Sequence, residues 1–172
     1  MKKDFMQKLK IRRASIEDIH TILSLIKELA SYEKLLDEVT ATEKLLKENL
    51  FGKNKYAEVL IAEYEGKPVG EALYFHNFST FVGKPGIYLE DIFVKPEMRG
   101  KGIGKALFSE LIKIAKDRNC GRVEWVVLNW NKPAVEFYKS LDAVSIDEWT
   151  VYRLTEEKIN NLSNKLNNKT EI

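Results

Sequence analysis

The chain is poor in residues that staple or ligate. Its single cysteine, Cys120, rules out a disulfide within the chain and makes a reducing compartment the expectation. His20 and His76 are the only histidines, too few with that cysteine for a typical zinc site, so no metal is expected. No apolar run reaches the roughly 18 residues that a membrane-spanning helix needs, and no membrane partner is expected. The segment Met1–Arg13 carries positive charge but lacks the apolar stretch of a secretory signal. Together these features point to the cytoplasm. An excess of one charge is lacking too: 28 Lys and Arg face 26 Asp and Glu, a net +2. A dedicated nucleic-acid binder shows a clearer basic stripe, so no nucleic-acid partner is expected. A weak positive balance still helps attract an anionic cofactor. There is no internal repeat and no interdomain linker.

What is present is an ordinary globular composition, 44% apolar and 31% charged over 172 residues. That length suits one domain, residues 1–172, able to bury about 70% of its unfolded surface. Residues 1–6 and the Asn-rich 160–172 are expected to fray. Lys8–Arg13 alternates polar and apolar residues and predicts a strand. Ser15, with Asp18 placed for a capping box, opens a helix whose Ile19, Ile22, Leu23, Ile26 and Leu29 share one face. A second helix is predicted over Thr42–Leu50, stopped by Gly52. Strands over Ala57–Tyr64 and Pro68–Phe75 flank the turn Glu65-Gly66-Lys67. A loop through Asn77–Gly86 leads to a strand over Ile87–Val94. A helix follows over Ile103–Arg118, then a strand over Arg122–Leu128 and a helix over Lys132–Leu141 with Pro133 near its start. Short strands are expected at Val144–Ile146 and Trp149–Leu154. This order implies an α/β (α+β) fold, a mostly antiparallel sheet flanked by helices, with the Ile87–Val94 and Arg122–Leu128 strands parallel.

The most informative segment runs from Val94 to Lys105, V-K-P-E-M-R-G-K-G-I-G-K. It follows a strand and opens a helix. Gly100, Gly102 and Gly104 let the backbone approach a ligand closely, and the first free amides of the helix favour a phosphate. Arg99 and Lys105 add positive charge. A P-loop is excluded: Arg99 stands where its first glycine belongs, and Ala106 follows the lysine where Ser or Thr is needed. A dinucleotide fingerprint fails too, because Lys105 and Leu107 occupy the places of its third glycine.

Arg99-x-x-Gly102-x-Gly104 resembles the pyrophosphate signature of the GNAT superfamily of N-acetyltransferases. The resemblance covers about Lys8–Leu154, including element order. It is strongest to the diamine acetyltransferases, the group that holds the spermidine/spermine and thialysine enzymes. Leu25-Ile-Lys-Glu-Leu-Ala-Ser-Tyr-Glu33, Tyr88-Leu-Glu-Asp91, Trp130-Asn-Lys-Pro133 and Phe137-Tyr-Lys139 carry it. It implies acetyl-CoA as co-substrate, gripped by Arg99, Gly100, Lys101, Gly102, Ile103, Gly104 and Lys105. It also implies pantetheine contacts from the backbone of Ile92, Phe93 and Val94, and from Asn131, Pro133 and Ala134. A homodimer is expected on the same ground.

Acetyl transfer to an amine needs a neutral amine, a stabilised oxyanion and a protonated leaving thiolate. A primary ammonium with a pKa near ~10 is almost wholly charged at pH 7, so a base must take its proton. The resemblance gives Glu90 that role, directly or through water, and gives Tyr138 the role of acid to the thiolate. Asp91 is its neighbour, and adjacent strand residues point to opposite faces, so one of the pair can face the cleft while the other turns away. Phe137 and Tyr138 point about 100° apart on a helix, which suggests separate environments, Phe137 in the core. On the substrate side the resemblance implies Tyr32, Glu33, Glu90, Asp91, Glu124 and Trp125. Asp147 and Glu148 fall near a further family acid. Three departures stand out: Ser79 where polyamine enzymes carry an acid, one extra residue near Pro85-Gly86, and Asp142 in place of a glycine. The acceptor is expected to be a small diamine, polyamine or lysine-like amine. The alternatives are a protein N-terminus or lysine, and a non-catalytic CoA-binding module.

Overall fold

The computed structural model describes residues 2–167, in two compact units that divide after Val126. In the first unit, helix α1 (Lys2–Lys8) runs directly into strand β1 (Leu9–Arg13). No helix was expected there. Phe5 anchors it by stacking on Tyr64, 4.3 Å between ring centroids. Ser15 begins the next helix as its sequence predicts. Its backbone N–H donates to the Asp18 carboxylate at 2.7 Å, and a short 3-10 turn leads into α2 (Ile19–Glu33). Asp18 is buried but not bare. Arg12 donates to both its oxygens at 2.7 Å and also reaches Glu63, which pulls the Asp18 carboxyl down to about 2.

Helix α3 (Glu43–Phe51) is capped by Thr42, whose hydroxyl accepts from the Leu45 N–H. Strands β2 (Glu58–Tyr64) and β3 (Lys67–Ser79) form a hairpin on Glu65 and Gly66, both at positive φ (50° and 76°). That two-residue turn matches the right-handed twist of the strands. Strand β4 (Lys84–Val94) pairs antiparallel with β3, so the loop expected over Asn77–Gly86 shrinks to Thr80–Gly83. Ser79 closes it by accepting from the Gly83 and Val82 N–H groups. Helix α4 (Ile103–Asp117) leads to β5 (Val123–Glu124), parallel to β4 at Ile87↔Val123 and Tyr88↔Glu124. The five strands lie in the order β1-β2-β3-β4-β5. The mixed, mostly antiparallel sheet with flanking helices is the one the sequence implied.

Ile22, Leu25 and Leu29 of α2 pack on Val59, Ile61 and Phe93, each fully or nearly fully buried and worth ~2 kcal/mol. Helix α4 packs against β1 through β4, with Leu107 and Leu111 fully buried. One irregularity matters more than the rest. Tyr74 pairs with Leu89, but Leu73 pairs with Asp91, so Glu90 is an extra residue, a β-bulge.

In the second unit, α5 spans Lys132–Lys139 and α6 spans Glu156–Asn167. The strand expected over Arg122–Leu128 is only Val123–Glu124, and those at Val144–Ile146 and Trp149–Leu154 do not form among the described residues. Val144, Trp149, Val151 and Tyr152 stay largely exposed. An alternating pattern makes a strand only where a neighbour supplies the ladder. Conversely, part of 160–172, expected to fray, belongs to α6, with Ile159, Leu162 and Leu166 at helical spacing; residues 168–172 lie outside the described range. No described helix is long and apolar enough to cross a membrane.

Candidate active site

β4 leaves the sheet at Val94, turns once through Pro96–Met98, and passes Arg99 in extended conformation. Gly100 and Gly102 then adopt φ of +74° and +91°. An added Cβ at either would meet no atom within 4 Å. Glycine is therefore required there by the hand of the backbone, since a left-handed L-residue costs ~1–2 kcal/mol. Gly104 differs. It lies in the helix, and its nearest neighbour to an added Cβ, Val94 Cγ2, is 3.9 Å away. The chain would accept a side chain at 104, and its absence keeps the first turn bare. Ala106 makes the first helical bond, to the Gly102 carbonyl at 3.0 Å. The amides of Ile103, Gly104 and Lys105 thus have no acceptor within the helix. Buried Ile103 pins the turn while Lys101 and Lys105 are exposed. Free amides, a helix start and cations fit a diphosphate.

Arg99 is held in place. Its Nε donates to the Val94 carbonyl at 3.0 Å, and its guanidinium carbon lies 4.2 Å from the Tyr32 ring centroid and 5.6 Å from that of Phe93. Tyr32, expected on the substrate side, therefore packs on the cradle arginine. Lys101 reaches back over Phe5 of α1, 5.8 Å from the ring centroid. An open pocket of about 290 Å³ lies next to this stack, lined by Glu28, Ser31, Tyr32, Phe93 and Pro96. A larger depression of about 570 Å³, between the starts of α2 and α3, shares no residue with the cradle.

The bulge shapes the acidic side. Tyr74, paired with Leu89, has its ring 6.0 Å from the guanidinium of Arg118, just past α4. Leu73, paired with Asp91, packs into the α2 core with Phe93. The extra residue therefore switches faces: Leu89 lies on the α4 side, Asp91 on the α2 side, and Glu90 is exposed between them. Simple alternation, expected for Glu90 and Asp91, does not hold there. Burial, then the charges of Glu90 and Glu33, push the Asp91 carboxyl up to about 6. Burial also raises Glu33. Glu33, Glu90 and Asp91 thus come together as an acidic cluster. Among the described residues, no group of His, Cys, Asp or Glu stands at metal-ligand spacing.

Glu124 lies apart from this cluster. Arg122 and Asn77 take up its carboxylate at 2.9 and 2.7 Å, and Trp125 packs edge-on against Phe108. In the second unit, Asn131 caps α5, its Oδ1 accepting from the Ala134 N–H at 3.4 Å, with Pro133 in the first turn. Tyr138 is buried on that helix, and its ring lies 5.3 Å from that of Phe137. The two rings lie close, against the expectation of separate environments, and it is Tyr138 that is buried while Phe137, expected in the core, is only half-buried. Sequence reasoning missed Glu28, Ser31 and Glu71. A signal for Glu71 exists: it stands in phase with apolar Val69 and Leu73.

A strand-loop-helix cradle suited to a diphosphate thus follows a bulged strand that carries acids. Residues 17–142 match the acetyltransferase (GNAT) family, and the chain belongs to it, as an acyltransferase. The thialysine N-epsilon-acetyltransferase of Sus scrofa is 40% identical, over 93% of this chain and all of that one. The spermidine/spermine N(1)-acetyltransferase-like protein 1 of Homo sapiens is 34% identical over 92% of this chain, which spans 24% of that longer protein. Among solved structures, an integron cassette protein from the mobile metagenome of V. cholerae superposes with a TM-score of 0.76 at 29% identity, covering 91% of this chain and 98% of that one. The family uses acetyl-CoA as co-substrate.

Proposed function

We propose that this enzyme acetylates the primary amine of a small diamine, polyamine or lysine-like acceptor, by direct attack with both substrates bound. The observation that carries this is the meeting of Glu33, the last residue of α2, with Glu90 and Asp91 of the strand that feeds the cradle. A cluster of acids that forms no ion pair among the described residues attracts a compact cationic substrate. Acetyl-CoA supplies an acetyl group already activated as a thioester. Arg99, Lys101, Lys105 and the amides from Gly100 to Lys105 would hold its diphosphate. The backbone of Ile92, Phe93 and Val94 would pair with its pantetheine amides as an added strand does. That role is supported by β5, which pairs with β4 only as far as Tyr88. Asn131, Pro133 and Ala134 take the pantetheine arm by family resemblance.

Glu90 holds the acceptor ammonium and passes its proton to water. Asp91, at about 6, keeps a proton acceptor of near-neutral affinity in the same cluster. Tyr138 donates to the departing thiolate. Phenol stays neutral at pH 7, so it has a proton to give. Tyr32, Glu124 and Trp125 are retained as substrate-side residues by resemblance alone. The resemblance also supports a homodimer acting in the cytoplasm. The test is acetyl-CoA consumption with spermidine, putrescine, thialysine, lysine and peptides. A small amine should exceed background and peptide rates at least tenfold. Equal rates for all would defeat the reading, and preference for a peptide would move the target to protein.

A further inference from the structure

Glu71 is a buried carboxylate that the steps above do not use. It lies mid-strand in β3, 0% exposed, and neither carboxylate oxygen has a hydrogen-bond partner. Asp18, also buried, shows the usual arrangement, with Arg12 on both oxygens. Glu71 pairs across the sheet with Ile61 and Phe93, residues of the core beneath α2. Leu73, two residues on, carries Asp91 opposite it. Glu71 and Asp91 are thus diagonal neighbours on one face of adjacent strands.

Among the described residues, the two charges that act on it most are negative. Asp91 on β4 and Glu28 on α2 both act on Glu71, and behind Asp91 stand Glu90 and Glu33. β2 presents the apolar Ile61. Of the nearby cations, Lys95 is engaged by Glu28 at 3.2 Å, and Arg99 is stacked on Tyr32 and Phe93. Burial and these acids hold the Glu71 carboxyl protonated far above its ordinary range. Burying such a group without a partner carries a desolvation cost that an apolar residue would not. Its two unsatisfied oxygens sit behind the acids that face the acceptor. A cation entering that cluster would meet two oxygens that no hydrogen-bond donor among the described residues satisfies.

We propose that Glu71 is a specificity residue of the amine site: with Asp91 and Glu28 it selects acceptors that carry a second positive charge over those that carry one. This rests on the small-amine reading and adds to it which small amines. The selection works through the field of Glu71, since a unit charge acts strongly where water is excluded. As a dication enters, the Glu71 O–H bond breaks, its proton passes through water to the bulk buffer, and the carboxylate left behind answers the second ammonium. A monocation, satisfied by Glu90 and Asp91, gains little from it.

The experiment compares 1,4-diaminobutane with butylamine in the parent enzyme, Glu71→Gln and Glu71→Leu. In Glu71→Gln, kcat/KM for the diamine should fall about tenfold, chiefly through KM, while that for butylamine stays within about twofold. Calorimetry of diamine binding in two buffers of different ionisation heat should show proton release in the parent and less in Glu71→Gln. Both variants should melt at or above the parent temperature at pH 8, because each removes an unpaired buried acid; if Glu71→Gln misfolds, Glu71→Leu carries the comparison. An unchanged diamine-to-monoamine ratio, or an equal loss on both amines, overturns the role of Glu71 and leaves the small-amine reading standing. A parent that acetylates neither of these two amines overturns the role of Glu71, and it overturns the small-amine reading as well only if spermidine, thialysine and lysine are also refused.

Discussion

Replacing Asp91 with Asn removes a charge that folding forces into a poorly solvated, acidic place. The Asp91 carboxyl rises from its ordinary 3.8 to about 6. At ~1.4 kcal/mol for each tenfold change in proton affinity, ionised Asp91 opposes folding by ~3 kcal/mol. Asp91 is only partly buried, so water screens part of this, and ~1–2 kcal/mol is the expected cost. The folded state binds this proton more tightly than the unfolded state does. Below about pH 4 both states carry it and there is no cost. Between about 4 and 6 the unfolded chain loses it first, so stability falls as pH rises, and above about 6 the full cost applies. Urea denaturation of parent and Asp91→Asn, followed by tryptophan fluorescence from about pH 4 to 8, measures this. The variant should be more stable by ~1–2 kcal/mol at pH 8, and the gap should close toward pH 4. Taking the difference removes the opposite slope from Asp18 and Glu58, whose lowered carboxyls favour folding as pH rises. A gap that does not change with pH would refute the electrostatic account of the acidic cluster.

Gly102→Ala puts a side chain at φ +91° and should raise KM for acetyl-CoA at least tenfold, for a stability loss of only ~1–2 kcal/mol; an unchanged KM would remove the cradle from the cofactor site. Asp142, where the family resemblance implies glycine, stands at φ +58°, so Asp142→Gly should gain ~1 kcal/mol and raise the melting temperature by a few degrees. A lower melting temperature would mean that Asp142 is held by more than its backbone. Tyr138→Phe should lower kcat ~10–100-fold with KM for acetyl-CoA nearly unchanged; wild-type turnover would strip Tyr138 of the acid role.

Much of the frame was legible because it rests on local physics. The Glu65-Gly66 turn, the capping of α2 by Ser15 and Asp18, and the glycines of the cradle each announce a backbone conformation. The apolar stripe of α2 announces a buried face: Ile19, Ile22 and Leu29 are buried and Leu23 and Ile26 partly so, while Leu25, outside the expected stripe, is buried too. What was illegible depends on partners distant in sequence. Nothing in Leu89-Glu-Asp-Ile92 says that β3 skips one residue of it. The pattern at Trp149–Leu154 reads as a strand, but a strand needs a neighbour, and periodicity does not name one. Helix α6 hid behind its asparagines, although Ile159, Leu162 and Leu166 keep a helical period. In the acidic cluster, Glu33, Glu90 and Asp91 were found through motif, whereas Glu71 was overlooked in a strand that otherwise reads as core.

The bulge ties these pieces together. Had β4 paired with β3 without it, Asp91 would share a face with Leu89 and Ile87 and point toward α4, and Phe93 would follow it. Arg99 would lose the Phe93 ring, and Glu71 would lose its acidic neighbour on the same face. One extra residue, Glu90, instead turns the last stretch of β4 over. Ile87 and Leu89 complete the core against α4, Asp91 and Phe93 complete the surface beneath α2, and Glu90 itself is exposed. The same residue lies just past the last rung between β4 and β5, at Tyr88 and Glu124. Beyond that rung the outer edge of β4 keeps backbone groups that no fifth strand claims among the described residues. An unpaired edge running straight into a diphosphate cradle, with acids on one side of the same strand, is what a long anionic thioester and a small cationic acceptor together require.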